Sequence, residues 1–327
     1  MQKIVKAEIL LSRKCDMSCK GCGMVTGEEN SRSISEWQEG LRQAANLGCE
    51  FFAFYGAEPF LEYKKLRALV YHCEKELKVP CTVITNGNDT HFEEKLQELY
   101  NVGLRSLTMS YTPISFDKHT ARKSEYAKDM LVKWKNNFKD VRDAAAVVTI
   151  TPEVLPVLPD IVKTLTAKGI WTFFDFFHPD RNQEGSKCKG FFPEMDCFGE
   201  YDYVDFLHLF QELTFLKTQG YLIHPSEDFF NQVLHSKRSG NLWNCADSAV
   251  FPSWITIDCD GFVRPCDDFH KDGSGLDMLE LEKGFDVWGE IQRSIVKENC
   301  PGCVWCTHIQ AHSIKQGELN IENYVHK

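Results

Sequence analysis

Three cysteines, Cys15, Cys19 and Cys22, fall within eight residues of the segment RKCDMSCKGCGMV. Two neighbouring thiols are enough for a redox disulfide. Four soft ligands close a zinc site. Three thiolates suit a metal centre that keeps one coordination position open, because thiolates hold both zinc and iron–sulfur clusters. A zinc knuckle with a remote fourth ligand would use the same residues. A second group lies near the other end of the sequence: Cys245, Cys259 and Cys266, then Cys300, Cys303 and Cys306 in CPGCVWC. The chain holds fourteen cysteines in all. Its first apolar stretch is too short and too charged for a secretory signal. A reducing, cytoplasmic setting is therefore expected, where such thiols are metal ligands or buried small apolar groups rather than disulfides. Cys49, Cys73 and Cys81 fall within strand and helix patterns and read as core.

A length of 327 residues with 43% hydrophobic content supports a well-buried core in one large domain or two. The net charge is -10 and no Lys/Arg run occurs. Phosphate neutralisation needs a basic face, so nucleic-acid binding is not expected. No run of 18 apolar residues occurs, so no membrane-spanning helix is expected either.

The elements that must position these thiols alternate. AEILLS, CEFFAFYG, CTVITNG, SLTMSYT, AAVVTIT and WTFFDFF are apolar, β-rich runs. Each is separated from the next by enough chain for a crossover helix. Ser33 and Glu36 have capping-box spacing, Ile34, Trp37, Leu41 and Ala44 have helical period, and Gly48 closes that helix. Leu66, Leu69, Val70, Cys73 and Leu77 form a second stripe. Six such strands imply a parallel sheet, buried on both faces. Ligands bind such sheets at the carboxyl ends of the strands, where the cysteine trio, GAEP, TNG and SYTP all fall. After His178 come a polar loop, one or two helices, and WITIDCDGFVRPC, a short hairpin turning at Asp260-Gly261.

Cys15-x3-Cys19-x2-Cys22 on a loop after the first strand resembles the radical S-adenosylmethionine (SAM) superfamily. The resemblance implies that these three cysteines bind a [4Fe–4S] cluster whose fourth iron chelates SAM. It further implies cleavage of SAM to a 5′-deoxyadenosyl radical that abstracts a substrate hydrogen, with the electron from a flavodoxin- or ferredoxin-type donor. Many members carry an aromatic residue just before the third cysteine, where this chain has Gly21. Gly56-Ala57-Glu58-Pro59 resembles the second-strand G-G-E motif, with Ala57 in place of the second glycine. Asn86 and Gly87 resemble the third strand end. Ser110 and Arg122 have the spacing of a ribose contact and a SAM-carboxylate contact. The resemblance covers roughly residues 5–178 and implies an α/β fold, a partial (β/α)6 parallel barrel.

Cys245, Gly261 and Cys266, followed by Cys300 and Cys303, resemble the Twitch/SPASM extension of some members, which holds an auxiliary cluster. Cys245, Cys266, Cys300 and Cys303 would be the ligands of a second [4Fe–4S] cluster, with Cys306 an alternative ligand. Four thiolates could equally hold zinc. The implied division is a core over 1–200, connecting helices over 201–244 and a small cysteine-rich domain over 245–327. An auxiliary cluster implies net oxidation or epimerisation. Cys188 or Cys197 could be a thiol hydrogen donor, and Asp175 and His178, at the sixth strand end, could bind substrate or act as base. The early position of the cluster loop favours a small polar substrate of sugar, nucleoside or aminocyclitol type. A short peptide, crosslinked or epimerised, is the alternative, and a non-catalytic metal-binding interaction protein is a third reading.

Overall fold

Each of the six apolar runs forms a strand: β1 (Lys6–Leu10), β2 (Phe51–Tyr55), β3 (Cys81–Thr85), β4 (Ser106–Ser110), β5 (Asp143–Ile150) and β6 (Trp171–Phe176). The computed structural model describes residues 4–17, 25, 32–111, 118–151, 153–176, 202–239, 243–267, 274–300, 302 and 309, with residues 118–123, 175 and 176 as backbone. Five helices return the chain between successive strands: α1 (Ile34–Asn46), α2 (Tyr63–Tyr71), α3 (Phe92–Val102), α4 (Lys118–Asn137) and α5 (Leu158–Thr166). Every neighbouring pair from β1 to β6 is parallel. The result is the α/β partial barrel expected from the alternation.

Two helices follow, α6 (Tyr203–Thr218) and α7 (Glu227–Ser239). The chain then forms β7 (Trp254–Ile257), β8 (Phe262–Arg264), β9 (Leu276–Asp277) and α8 (Leu281–Asn299). The hairpin turn is at Asp260-Gly261, as its sequence indicates, and Gly261 has φ +83°. β7 pairs parallel to β1, and β8 and β9 continue antiparallel. The sheet order is β6-β5-β4-β3-β2-β1-β7-β8-β9. The C-terminal hairpin thus extends the same sheet on the free side of β1.

The register separates two faces. Ala7, Ile9, Phe54, Val83, Leu107, Val148 and Ile257 lie on one face and are fully buried. They share one core with Trp37 and Leu41 of α1, Leu66 of α2, Leu99 of α3, Trp134 of α4 and Leu165 of α5. The opposite face carries Lys6, Glu8, Thr82, Ser106, Thr108 and Thr256, all buried. There the Lys6 ammonium is 3.2 Å from Glu8 and 3.9 Å from the Trp254 ring centre. The Thr82 and Thr108 hydroxyls are 3.3 Å apart. One face is thus largely apolar under the helices, and the other mixes these polar residues with Phe51, Ala53 and Trp254.

The second stripe is not one regular helix. α2 ends at Tyr71 and His72–Leu77 continues as a π-helical turn. At its start the buried His72 ring meets Glu76 at 2.5 Å and Gln38 O of α1 at 3.0 Å. No helix among the described residues is long and apolar enough to cross a membrane.

α1 shows the capping box its sequence encodes, with Ser33 and Glu36 exchanging side-chain-to-backbone hydrogen bonds. Ser33→Ala should cost about 1 kcal/mol. Trp37→Ala, which empties a fully buried site, should cost about 3–5 kcal/mol. Urea unfolding of the two variants checks the ranking, and equal costs would contradict this account of α1.

Candidate functional site

The carboxyl ends of β1 to β4 bring together several residues that the sequence marks for chemistry. Cys15 follows β1 and is half-buried. Its sulfur faces two N–H donors, Met17 N at 3.4 Å and Asn86 Nδ2 at 3.5 Å. The same Asn86 amide donates to Asp16 Oδ1 at 3.0 Å. Asn86 Oδ1 in turn accepts from Asn88 N at 2.7 Å, which fixes the amide's orientation. N–H donors aimed at sulfur stabilise a thiolate and tune the potential of a cluster it ligates. The Cys15 sulfur therefore fits an iron ligand. Cys19 and Cys22 lie outside the described residues, as does Gly21.

Glu58 is the hub behind this loop. It is 2% exposed, and all three hydrogen bonds to its carboxylate are accepted. They come from Phe60 N at 3.0 Å, the Thr85 hydroxyl at 2.8 Å and Asn86 N at 2.8 Å. Its own N–H donates to Lys14 O at 3.0 Å. One residue thus links the ends of β1, β2 and β3. Burial nevertheless outweighs the three donors and pushes the Glu58 carboxyl up to about 7. Gly56 has φ +122°, and a Cβ there would lie 2.9 Å from Ser12 O. Glycine is needed because the β2 end closes on the backbone leaving β1. Ala57 follows without such a constraint. Gly87 has φ +70°, and a Cβ would overlap Met109 Cε.

Ser110 is the last residue of β4 and is exposed at the same end of the sheet. Arg122 lies in α4 and Asp175 in β6, in register with Thr149. Their side chains, like all of His178, Cys188 and Cys197, lie outside what the structure describes.

At the C-terminal group, Cys245 begins the short 3-10 turn Cys245–Asp247, Cys266 follows β8, and Cys300 caps α8. All three pack on one small cluster of Ala246, Phe251 and Val296. Asn244 Nδ2 bonds Cys300 O at 3.2 Å. The Arg293 guanidinium of α8 holds the loop from the other side. It donates to Ala246 O at 2.9 Å, Ser248 O at 2.6 Å and Phe251 O at 2.6 Å. Among the described residues no three His, Cys, Asp or Glu side chains meet at a single metal-binding point. Cys303 and Cys306 lie outside the described residues. Cys259 is buried in the hairpin, and burial followed by the Asp258 charge pushes its thiol up to about 12. That makes it a poor ligand or nucleophile. Cys49, Cys73 and Cys81 are buried in the main core, as their patterns indicate.

Two arginines that the motifs do not mark stand on either side of the cysteine loop. Arg13 Nε and Nη2 reach Asp258 Oδ1 and Oδ2 at 3.2 and 3.0 Å. Burial would raise the Asp258 carboxyl, but the Arg13 charge and hydrogen bonds hold it well below the usual carboxylate range. Arg32 reaches Asp277 Oδ2 at 2.6 Å and Asp260 O at 3.2 Å.

Residues 9–165 match the family model of the Radical SAM superfamily. Over 80 residues the chain is 32% identical to the zebrafish (Danio rerio) S-adenosylmethionine-dependent nucleotide dehydratase RSAD2. That match spans 24% of this chain and 22% of the relative's length. Among solved structures, Streptococcus suis SuiB bound to S-adenosylmethionine superposes with a TM-score of 0.64 at 16% identity, over 90% of this chain and 68% of SuiB. anSMEcpe, solved with bound AdoMet and the Cp18Cys peptide, superposes with a TM-score of 0.53 at 17% identity, over 98% of this chain and 99% of its own. Residues 9–165 of the chain form a radical SAM domain.

The Glu58 environment has a pH consequence in metal-free protein. The unfolded chain releases this proton near the ordinary value of 4.5, the folded chain near 7. The folded state therefore binds the proton more tightly, and stability falls as pH rises through that window. The loss should reach about 3 kcal/mol by pH 8. Glu58→Gln should make this slope shallower, leaving the part from Asp143, whose carboxyl burial also pushes up to about 7, while costing about 1–3 kcal/mol at low pH, since its amide opposes Asn86 N. Urea midpoints of both proteins from pH 4 to 8 check this. Parallel curves would refute it.

Proposed function

We propose that Cys15, Cys19 and Cys22 hold a [4Fe–4S] cluster and that SAM binds beside it over Gly56, Ala57, Glu58, Asn86, Ser110 and Arg122. The observation that carries this is the pair of N–H donors on the Cys15 sulfur, set among the strand ends where Gly56, Glu58 and Ser110 gather. When bound, the cluster supplies one electron that cleaves SAM to methionine and a 5′-deoxyadenosyl radical, which removes a hydrogen from substrate. Asn86 holds the thiolate of Cys15 in place and keeps its sulfur electron-poor. Glu58 locks three strand ends so that Gly56 and Ala57 present their backbone at a fixed distance. The electron comes from a flavodoxin- or ferredoxin-type donor.

Cys245, Cys266, Cys300 and Cys303 are proposed to hold an auxiliary [4Fe–4S] cluster, with Cys306 as the alternative ligand. Its support is that three of these cysteines pack against the same small apolar cluster beside the Arg293 clamp. Such a cluster fits net oxidation or epimerisation, with Asp175 and His178 at the substrate and Cys188 or Cys197 as hydrogen donor. Two substrate classes have support. The polar sheet face of Lys6, Glu8, Thr82 and Thr108 favours a small polar substrate. A peptide substrate is favoured by SuiB, solved with its precursor peptide SuiA, and by anSMEcpe with the Cp18Cys peptide.

Anaerobically reconstituted protein should release 5′-deoxyadenosine from SAM under dithionite. Cys15→Ala should lower that by at least ~100-fold, because a missing ligand loses the cluster. Two substrate pools, small polar metabolites and short peptides, should separate the classes, since the true one raises 5′-deoxyadenosine above the uncoupled background. In heavy water, deuterium gained at carbon marks epimerisation and a product lighter by two hydrogens marks oxidation. Fully loaded protein that releases no 5′-deoxyadenosine would leave only a non-catalytic metal-binding role.

A further inference from the structure

The cysteine loop is bracketed by two arginines, and both reach across to the same C-terminal hairpin. Arg13 stands two residues before Cys15. Its two-pronged contact to Asp258, at 3.2 and 3.0 Å, joins side chains that are each 1% exposed. Arg264 adds a second cation to Asp258 at 3.3 Å and grips Asp260 at 2.6 Å. Arg32 stands ten residues beyond Cys22. It spans Asp277 at 2.6 Å, Asp260 O at 3.2 Å and Glu36 at 3.1 Å. It also lies close over the hairpin turn, where a Cβ at Gly261 would sit 2.6 Å from Arg32 Nε.

These contacts are not needed to build the sheet. β1 and β7 already pair through backbone over Lys6–Ile9 and Trp254–Ile257. Arg13, Arg32, Asp258, Asp260 and Asp277 all act on chain outside that pairing. What they fix is the exit of the chain from β1 and its re-entry into α1, which are the two anchors of the cysteine loop. β8 of the same hairpin leads directly to Cys266.

We propose that Arg13 and Arg32 are positioning residues that fasten the loop of Cys15, Cys19 and Cys22 to the C-terminal hairpin, so that the hairpin sets the geometry in which the loop binds its cluster and SAM. This rests on the cluster reading given under Proposed function. A bidentate guanidinium–carboxylate contact fixes direction as well as distance, and a loop held at both ends loses less freedom on binding. Linkage makes the effect reciprocal: order at Cys266 favours order at Cys15, and the reverse.

The test reads SAM binding at the N-terminal cluster rather than turnover. Reconstituted, dithionite-reduced holoprotein is titrated with SAM, and the change in its electron paramagnetic resonance spectrum gives an apparent affinity. The rate at which a chelator strips the cluster is measured in parallel. Asp277→Asn and Arg32→Gln, both at a partly exposed contact, should each weaken apparent SAM affinity roughly tenfold and speed stripping. Their double variant should be no worse than Arg32→Gln alone, since that change already removes the contact to Asp277. Arg13→Lys keeps the buried charge but loses the two-pronged contact, and should give a smaller loss of the same kind. Glu282→Gln cuts the 3.6 Å contact between Arg42 of α1 and α8 without touching the loop, and should leave both readouts at wild-type values. Arg32→Gln and Asp277→Asn proteins that match wild type within about twofold would overturn the proposal. So would Glu282→Gln impairing binding as much as they do. A wild-type spectrum that ignores SAM would instead overturn the reading of the site itself.

Discussion

The Arg13–Asp258 pair is the contact on which the geometry of the site depends. Both side chains are almost wholly removed from water, and Arg264 brings a second cation to the same carboxylate. Burying an ion pair yields little net stability, because lost hydration roughly offsets the attraction. Its value here is directional. A guanidinium fork on a carboxylate tolerates little rotation, and breaking it would strand a buried charge at a cost of about 3–5 kcal/mol. The backbone leaving β1 is therefore aimed before the first cysteine is reached.

From that fixed exit the remaining order follows in short steps. Lys14 N bonds the Ser12 hydroxyl at 2.9 Å, and Lys14 O receives Glu58 N at 3.0 Å. Glu58 then gathers Thr85 and the Asn86 backbone, and the Asn86 side chain returns to Cys15. The circuit closes on itself across β1, β2 and β3. A buried carboxylate with no cation on it among the described residues is costly, and its raised affinity for a proton registers that cost. The cost is concentrated at the strand ends where a site must be held rigid, a placement common for strained or perturbed groups.

Local chemistry made much of this legible in the sequence. The Ser33–Glu36 capping box is a four-residue signal, and the six strands show as apolar runs because parallel strands are buried on both faces. The hairpin turn is written in Asp260-Gly261. The three core cysteines could be set aside from their patterns alone, whereas the burial of Cys259 shows only in the folded hairpin. The long-range contacts were not legible. Arg13 and Asp258 are 245 residues apart, as are Arg32 and Asp277, and no periodicity connects them. Arg13, two residues before the first cysteine, is a charge in the sequence, and only the fold shows it fully buried. Glu58 was readable as part of a backbone motif, yet its side chain joins three strands. The need for glycine at position 56 arises from Ser12 O, which only the folded sheet brings near.

The C-terminal hairpin also changes what kind of strand β1 is. In a six-stranded open barrel the first strand is an edge, with one row of backbone groups unpaired and free to fray. Here β7 pairs with that row, so β1 lies between β2 and β7 and is buried along its length. The edge moves from β1 to the two-residue β9, while the other edge stays at β6, where Thr172 pairs with Ile223. A loop with the proposed role of cluster binding gains from springing off an interior strand rather than an edge. The hairpin therefore serves the N-terminal loop twice. Its backbone makes the supporting strand interior, and its carboxylates fix the direction in which the loop leaves and returns. Both contributions come from residues more than two hundred positions away in sequence, so the radical SAM domain of this chain is structurally incomplete without its C-terminal segment.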